Sequence, residues 1–166
     1  MLKIQTKKTM KKLNNFIHEK LKLTSSTETY LFKPQTKDEL KAAIKTIISE
    51  DGEDADLNSI DTSKITNMND LFINYDFKGD VSNWDVSNVV TMKNMFSWCK
   101  NFNSDISRWN VSNVEHMDGM LTGCAKFNQD LSKWNVNKVI KYEPEKIFDF
   151  TRIKRDKSKW PKQGIH

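Results

Sequence analysis

Four aspartates, Asp56, Asp80, Asp105 and Asp130, recur once per repeat, and a second column runs through Asp61, Asp85, Asn110 and Asn135. If the chain stacks at these intervals, acids roughly 5 Å apart repel unless they bind backbone donors or a cation, and Ca2+ favours ladders of oxygen ligands. Asp and Asn at the corners of a repeat more often cap the N–H groups of their own turn, and that reading is preferred to a metal. Cys99 and Cys124 are also one repeat apart. A disulfide needs a short Cα separation that the convex side of a stack usually exceeds, so buried free thiols are expected. His18, His116 and His166 show no metal-ligand spacing with either cysteine. No Ser/His/Asp or Cys/His arrangement assembles, and the five glycines form no phosphate-cradling loop. The expectation is a protein that is not an enzyme and that holds no cofactor and no metal.

A repeat sets the spacing of all these residues. FNSDISRWNVSNV at 102–114 recurs as FNQDLSKWNVNKV at 127–139 and, earlier, as FKGDVSNWDVSNV at 77–89. Apolar columns result: Trp84, Trp109 and Trp134; Val86, Val111 and Val136; Val89, Val114 and Val139; Phe77, Phe102 and Phe127. A degenerate first copy passes through Leu57, Ile60, Ile65 and Met68, offset by 24 residues instead of 25. Within one copy, Ile106, Trp109, Val111 and Val114 have the L-x-x-L-x-L spacing of a leucine-rich repeat. Its central piece is a short strand with Trp109 and Val111 inward and Arg108 and Asn110 outward. The spacing then shifts to three and four through Met117, Met120, Leu121 and Cys124, which predicts a short helix on the opposite side. The expected fold class is an α/β repeat, a short leucine-rich-repeat-type solenoid of about four coils. Parallel short strands line one side, short helices the other, and a helical N-terminal cap precedes them. No coil buries both faces alone, so neighbours must share one interior.

Residues 1–54 read as a basic N-terminal helix, roughly Lys8 to Lys22, followed by the helical cap. In the cap, Thr36 and Glu39 form a capping box, Leu40, Ala43, Ile44, Ile47 and Ile48 make the apolar stripe, and Gly52 is the stop. Tyr30-Leu31-Phe32 reads as extended. The solenoid occupies 55–150, with a helix start at Glu143-Pro144. Residues 151–166 read as a basic, poorly packed C-terminal tail with Trp160 as its available anchor.

The formal net charge is +5, but it sits at the ends. Residues 1–23 carry seven lysines against Glu19, and residues 55–140 carry eight basic against ten acidic side chains. A near-neutral repeat region weakens the case for a basic nucleic-acid-binding domain. Two cysteines suit a reducing compartment, and the basic start MLKIQTKKTMKKLNN lacks the apolar run of a secretory signal or membrane span. The chain is therefore expected to be cytoplasmic, with no membrane association.

On WDVSNVVTMKNMF (84–96) and FNSDISRWNVSNV (102–114), the chain resembles the BspA-like leucine-rich repeat family with the DUF285-type 25-residue unit, abundant in Bacteroidota and mycoplasmas. The resemblance covers about 95 of the 166 residues, and the front section (30–72) is similar to the cap that often precedes these repeats. It implies a curved bacterial solenoid that binds proteins, commonly on the cell surface. The absence of a signal peptide and of a lipoprotein cysteine near Met1 departs from that pattern.

The expected function is non-enzymatic protein binding through the exposed sheet face, carried by Asn83, Asp85, Arg108, Asn110, Lys133 and Asn135. These outward positions vary between otherwise repeated coils, so stacking does not constrain them. Small size and the missing export signal suggest a narrower role, an inhibitor carried by a phage or mobile element against a host defence enzyme. The rival readings are nucleic-acid binding through the basic terminal segments, with Lys7, Lys8, Lys11, Lys12 and the run from Arg152 to Lys162 on phosphate, or a surface repeat protein lacking its leader.

Overall fold

The structure is a computed structural model and describes residues 30–163. The helix expected over Lys8 to Lys22 and the lysines at 7, 8, 11 and 12 lie outside the described residues.

Each repeat is a closed loop of turns. Apolar residues three apart close these turns, the second donating its N–H to the carbonyl of the first: Trp109 to Ile106 (3.1 Å), Val114 to Val111 (2.9 Å), Met120 to Met117 (3.1 Å), Cys124 to Leu121 (3.1 Å) and Phe127 to Cys124 (2.9 Å). The residues between the members of these pairs face outward, apart from Gly123, which lies under Trp98, so the inward columns are apolar and the outward ones mostly polar. Other amides reach across to the following coil. Met92, Asn94, Phe96 and Trp98 donate to the carbonyls of His116, Asp118, Met120 and Thr122 at 2.7–2.9 Å, and Met68, Asp70, Phe72 and Asn74 do the same to Thr91, Lys93, Met95 and Ser97. Asn67, Thr91 and His116 pair in parallel on successive coils, as do Asp56 and Asp80.

Two local expectations change. The stretch around Trp109 and Val111 is made of turns, and parallel pairing falls elsewhere as isolated bridges, with no named strand among the described residues. Likewise the expected helix at Met117–Cys124 is a run of turns. Met120, Thr122 and Cys124 close turns over three residues and Gly123 donates to Asp149 O of the next coil, so no i→i−4 ladder forms. Positive φ at Gly119 and Gly123, and at Asn94 and Trp98 one coil earlier, also interrupts any helix.

The shared interior is aromatic. Phe96 and Phe102 stack at 3.9 Å between centroids, Phe102 and Phe127 at 5.8 Å, and Trp84 and Trp109 at 6.5 Å with their planes 2° apart. All these rings are almost fully buried. The indoles also act as donors: Trp84 Nε1 to Leu57 O (2.9 Å), Trp109 Nε1 to Val81 O (3.2 Å) and Trp134 Nε1 to Ile106 O (3.1 Å). A recurring tryptophan thus fills the core and ties its coil to the one before.

At the front, α1 spans Lys37–Asp51. The Thr36 hydroxyl accepts from Glu39 N, while the Glu39 carboxylate accepts from Gln35 N, one residue short of the usual capping-box partner. Gly52, at φ 85°, returns its N–H to Ile48 O and ends the helix. Leu40, Ala43, Ile44 and Ile47 are buried, and Phe32 pairs in parallel with Ile60, so the segment before α1 extends the stack.

The other end departs from the expected loose tail. After the short helix Pro144–Ile147, Ile153 and Trp160 are buried, Ile153 N donates to Phe127 O (3.1 Å), and Leu131 N donates to Lys159 O (2.9 Å). Trp160 Nε1 bonds Ile153 O (2.9 Å), and its ring lies 5.4 Å from Phe148. Residues 151–163 therefore cover the last repeat, whose apolar side would otherwise meet water.

Replacing Trp109 with Phe removes one of the two donors to Val81 O, leaving only Trp84 N, and opens a void where the larger indole packed. The expected loss is about 1–3 kcal/mol in urea unfolding, with the same m-value.

Candidate functional site

The aspartate column consists of turn caps. One carboxylate oxygen in each of Asp56, Asp80, Asp105 and Asp130 accepts the N–H two residues on, at Asn58, Ser82, Ser107 and Ser132, at 2.9–3.0 Å. These are Asx turns, and they fold each corner locally. Asp80 does more: it also accepts from the Ser82 hydroxyl (3.0 Å), the Asn58 amide (2.8 Å) and the Ser104 hydroxyl (2.7 Å), the last two on the coils either side. Burial pushes the Asp80 carboxyl up, but the bonds from Ser104, Ser82 and Asn58 outweigh it and hold the group below the ordinary value. Ser107 lowers Asp105 through its side chain and its N–H, and the Ser132 N–H lowers Asp130. Asn58 and Ser104 carried no signal in the repeat pattern, because neither recurs in register with its chemistry.

The six proposed partner-binding residues form two columns on the turns, in place of a sheet face. Asn83, Arg108 and Lys133 occupy the third position of the turns closed by Trp84, Trp109 and Trp134, and all three are exposed. Asp85, Asn110 and Asn135 precede the next turn and accept the N–H groups of Ser87 (2.9 Å), Ser112 (3.2 Å) and Asn137 (3.1 Å). The stack therefore brings all six to one side, but the second column's side-chain oxygens are committed to capping. Arg108 and Lys133 supply positive charge and Asp85 negative charge.

Cys99 and Cys124 are buried and unbridged. Each Sγ donates to a carbonyl of the preceding coil, Phe72 O (2.8 Å) and Phe96 O (3.0 Å). Burial pushes the Cys99 thiol up to about 12 and raises Cys124 as well, so neither is a nucleophile at neutral pH. In the basic run near the end, Lys154 pairs with Asp149, Lys157 with Glu145 (3.5 Å), and Lys159 Nζ bonds Asn128 O (3.2 Å). Those lysines are already occupied, which reduces what the run can offer to phosphate. Among the described residues no group of acids, histidines and cysteines is arranged to hold a metal, and no helix is long and apolar enough to cross a membrane.

Sequence reasoning missed one surface feature, the exposed rings of Trp98 and Phe150, which stack at 5.7 Å. Trp98 does not recur: its counterparts at the same turn position are Asn74 and Gly123. An aromatic residue where neighbouring coils place Asn or Gly is the signal that was available.

The sequence model of a family described as "Mycoplasma protein of unknown function, DUF285" matches residues 40–160, well over half of the chain. No curated protein and no solved structure matches.

Asp80→Ala is expected to lower stability by about 1–3 kcal/mol, and Asp105→Ala by less, since Asp80 serves three coils and Asp105 caps one turn. Folded values below the ordinary 3.8 mean that this stabilisation is complete above 3.8 and is lost as pH falls through the folded values. Thermal melts of the parent chain should therefore drop steeply below that pH, and those of Asp80→Ala less steeply.

Proposed function

We propose that this chain, which belongs to the DUF285 family, is a non-enzymatic protein-binding module whose partner rests on the outward corners of the stacked turns. The observation that carries this reading is the contrast within one turn. Its closing residues repeat as Trp84, Trp109 and Trp134, while the exposed residue between them changes from Asn83 to Arg108 to Lys133. Side chains that are free of the packing constraint, held at fixed spacing on a hydrogen-bonded frame, are suited to selecting one partner. Two of the three are cations, so the matching patch on the partner is acidic.

We read the frame as a short solenoid of leucine-rich-repeat type, of the BspA-like kind. Supporting this are the 24- and 25-residue offsets between bridged residues, the shared aromatic interior and the covered ends. In this reading isolated bridges replace the short strands and turns replace the helices. The chain acts in the cytoplasm.

The test is capture of a partner from the native host by the parent chain and by the Arg108→Glu/Lys133→Glu variant. The variant should fold with an unchanged melting temperature and lose the partner. Equal capture by both proteins would remove this face from the account.

A further inference from the structure

A second surface lies more than half a coil along the chain from the Asn83–Arg108–Lys133 column. Its centre is the Trp98–Phe150 pair. Trp98 is 45% exposed and Phe150 63%, whereas Trp84, Trp109, Trp134 and Trp160 are all 5% exposed or less. Both residues have positive φ, 63° and 56°, which a bulky side chain rarely adopts and which the surrounding stack must enforce. Between them sits Gly123, where a Cβ would come within 2.7 Å of the Trp98 ring. The glycine allows the indole to lie across its coil and meet Phe150. One coil earlier, Ile73 and Tyr75 flank Asn74, the counterpart of Trp98, and are exposed too.

Charge runs alongside this apolar strip. Lys126 N donates to Lys100 O (3.1 Å) and Arg152 N to Phe127 O (3.1 Å), which sets Lys100, Lys126 and Arg152 on successive coils. All three are exposed. Two other lysines of the stack are matched, Lys78 with Asp54 (2.9 Å) and Lys93 with Asp118 (3.4 Å), and Lys154 neutralises Asp149 beside Phe150. Lys100, Lys126 and Arg152 have no acidic partner among the described residues. Like charges on adjacent coils gain most from an anionic ligand.

We propose that this strip docks an acidic segment of a partner protein, which sets an apolar side chain against Trp98 and Phe150 and carboxylates against Lys100, Lys126 and Arg152. The observations favour a peptide over a nucleic-acid strand. The two rings stack on each other at 5.7 Å, too close for a base to enter between them, and Ile73 offers no π-face. Residues 1–23 of the same chain, with seven lysines and Glu19, have the wrong sign to cover the strip. This surface is independent of the Arg108 and Lys133 face, and either can fail without the other.

The probe is a displayed library of random 16-residue peptides, selected on the full chain. Selected sequences should combine Asp and Glu with Leu, Phe or Trp, and a synthetic copy lacking tryptophan should shield the chain's fluorescence from acrylamide, because Trp98 is its one exposed tryptophan among the described residues. Lys100→Glu/Lys126→Glu/Arg152→Glu should weaken that peptide by roughly tenfold or more at an unchanged melting temperature, and Phe150→Ser should weaken it as well. Arg108→Glu/Lys133→Glu should leave its affinity intact, which separates this result from the test of the other face. The proposal is overturned if the library yields no peptide that protects Trp98, or if the charge reversal has no effect on binding. It is equally overturned if a single-stranded oligo(dT), or self-association seen by sedimentation, protects Trp98 where acidic peptides do not.

Discussion

A backbone amide that closes a turn cannot also reach the neighbouring coil, and this protein meets both needs by alternation. Met95, Ser97 and Cys99 close turns within their own coil, while Met92, Asn94, Phe96 and Trp98 donate to the next. Neither an α-helix nor a continuous strand can satisfy that pattern, yet every amide in it is paired. Alternation also requires residues at positive φ, supplied at most positions by Asp, Asn or Gly: Asp70, Asn74, Asn94, Gly119 and Gly123. Once the ladder is in register, the aromatic columns have no freedom left, and Trp109 can reach Val81 O only because its coil is neither one residue early nor late.

The same register produces the surfaces. The turns closed by Trp84, Trp109 and Trp134 set their apolar closing residues inward and their middle residues outward, while the overlapping turns Asn94–Ser97 and Gly119–Thr122 enclose buried Met95, Phe96, Met120 and Leu121. Asp80 shows how polar groups join in: its carboxylate caps one corner and receives donors from the coils on both sides. A frame bonded in this way holds Asn83, Arg108 and Lys133 at fixed intervals. It also forces Trp98 and Phe150 into conformations that aromatic residues seldom take, and keeps their rings in water.

Much of this was legible in the residues. The repeat length, the buried columns, the Asx caps and the helix between Thr36 and Gly52 all follow from spacing and side-chain chemistry. The turns did not, because an i, i+3 apolar pair such as Met117 and Met120 suits a helix and a closed turn equally well. The arbiter was a shorter period within the repeat, in which DVSNW at 80–84 is followed by DVSNV at 85–89. Five residues per corner match neither the helical period nor the strand period. Residues 151–163 read as loose because charge dominates their composition, whereas a few buried residues, Thr151, Ile153, Trp160 and Pro161, pack the segment down. Trp98 stands outside the repeat, whose equivalent positions hold Asn74 and Gly123, so no column of recurring residues includes it.

Hydrogen exchange at individual amides tests the register most directly. If coils are joined as described, the amides of Met92, Asn94, Phe96 and Trp98 exchange together and slowly, with an opening free energy near that of global unfolding. Exchange of these four at the rate of an exposed loop, while the helix Lys37–Asp51 stays protected, would contradict the stacked frame and the binding surfaces drawn on it.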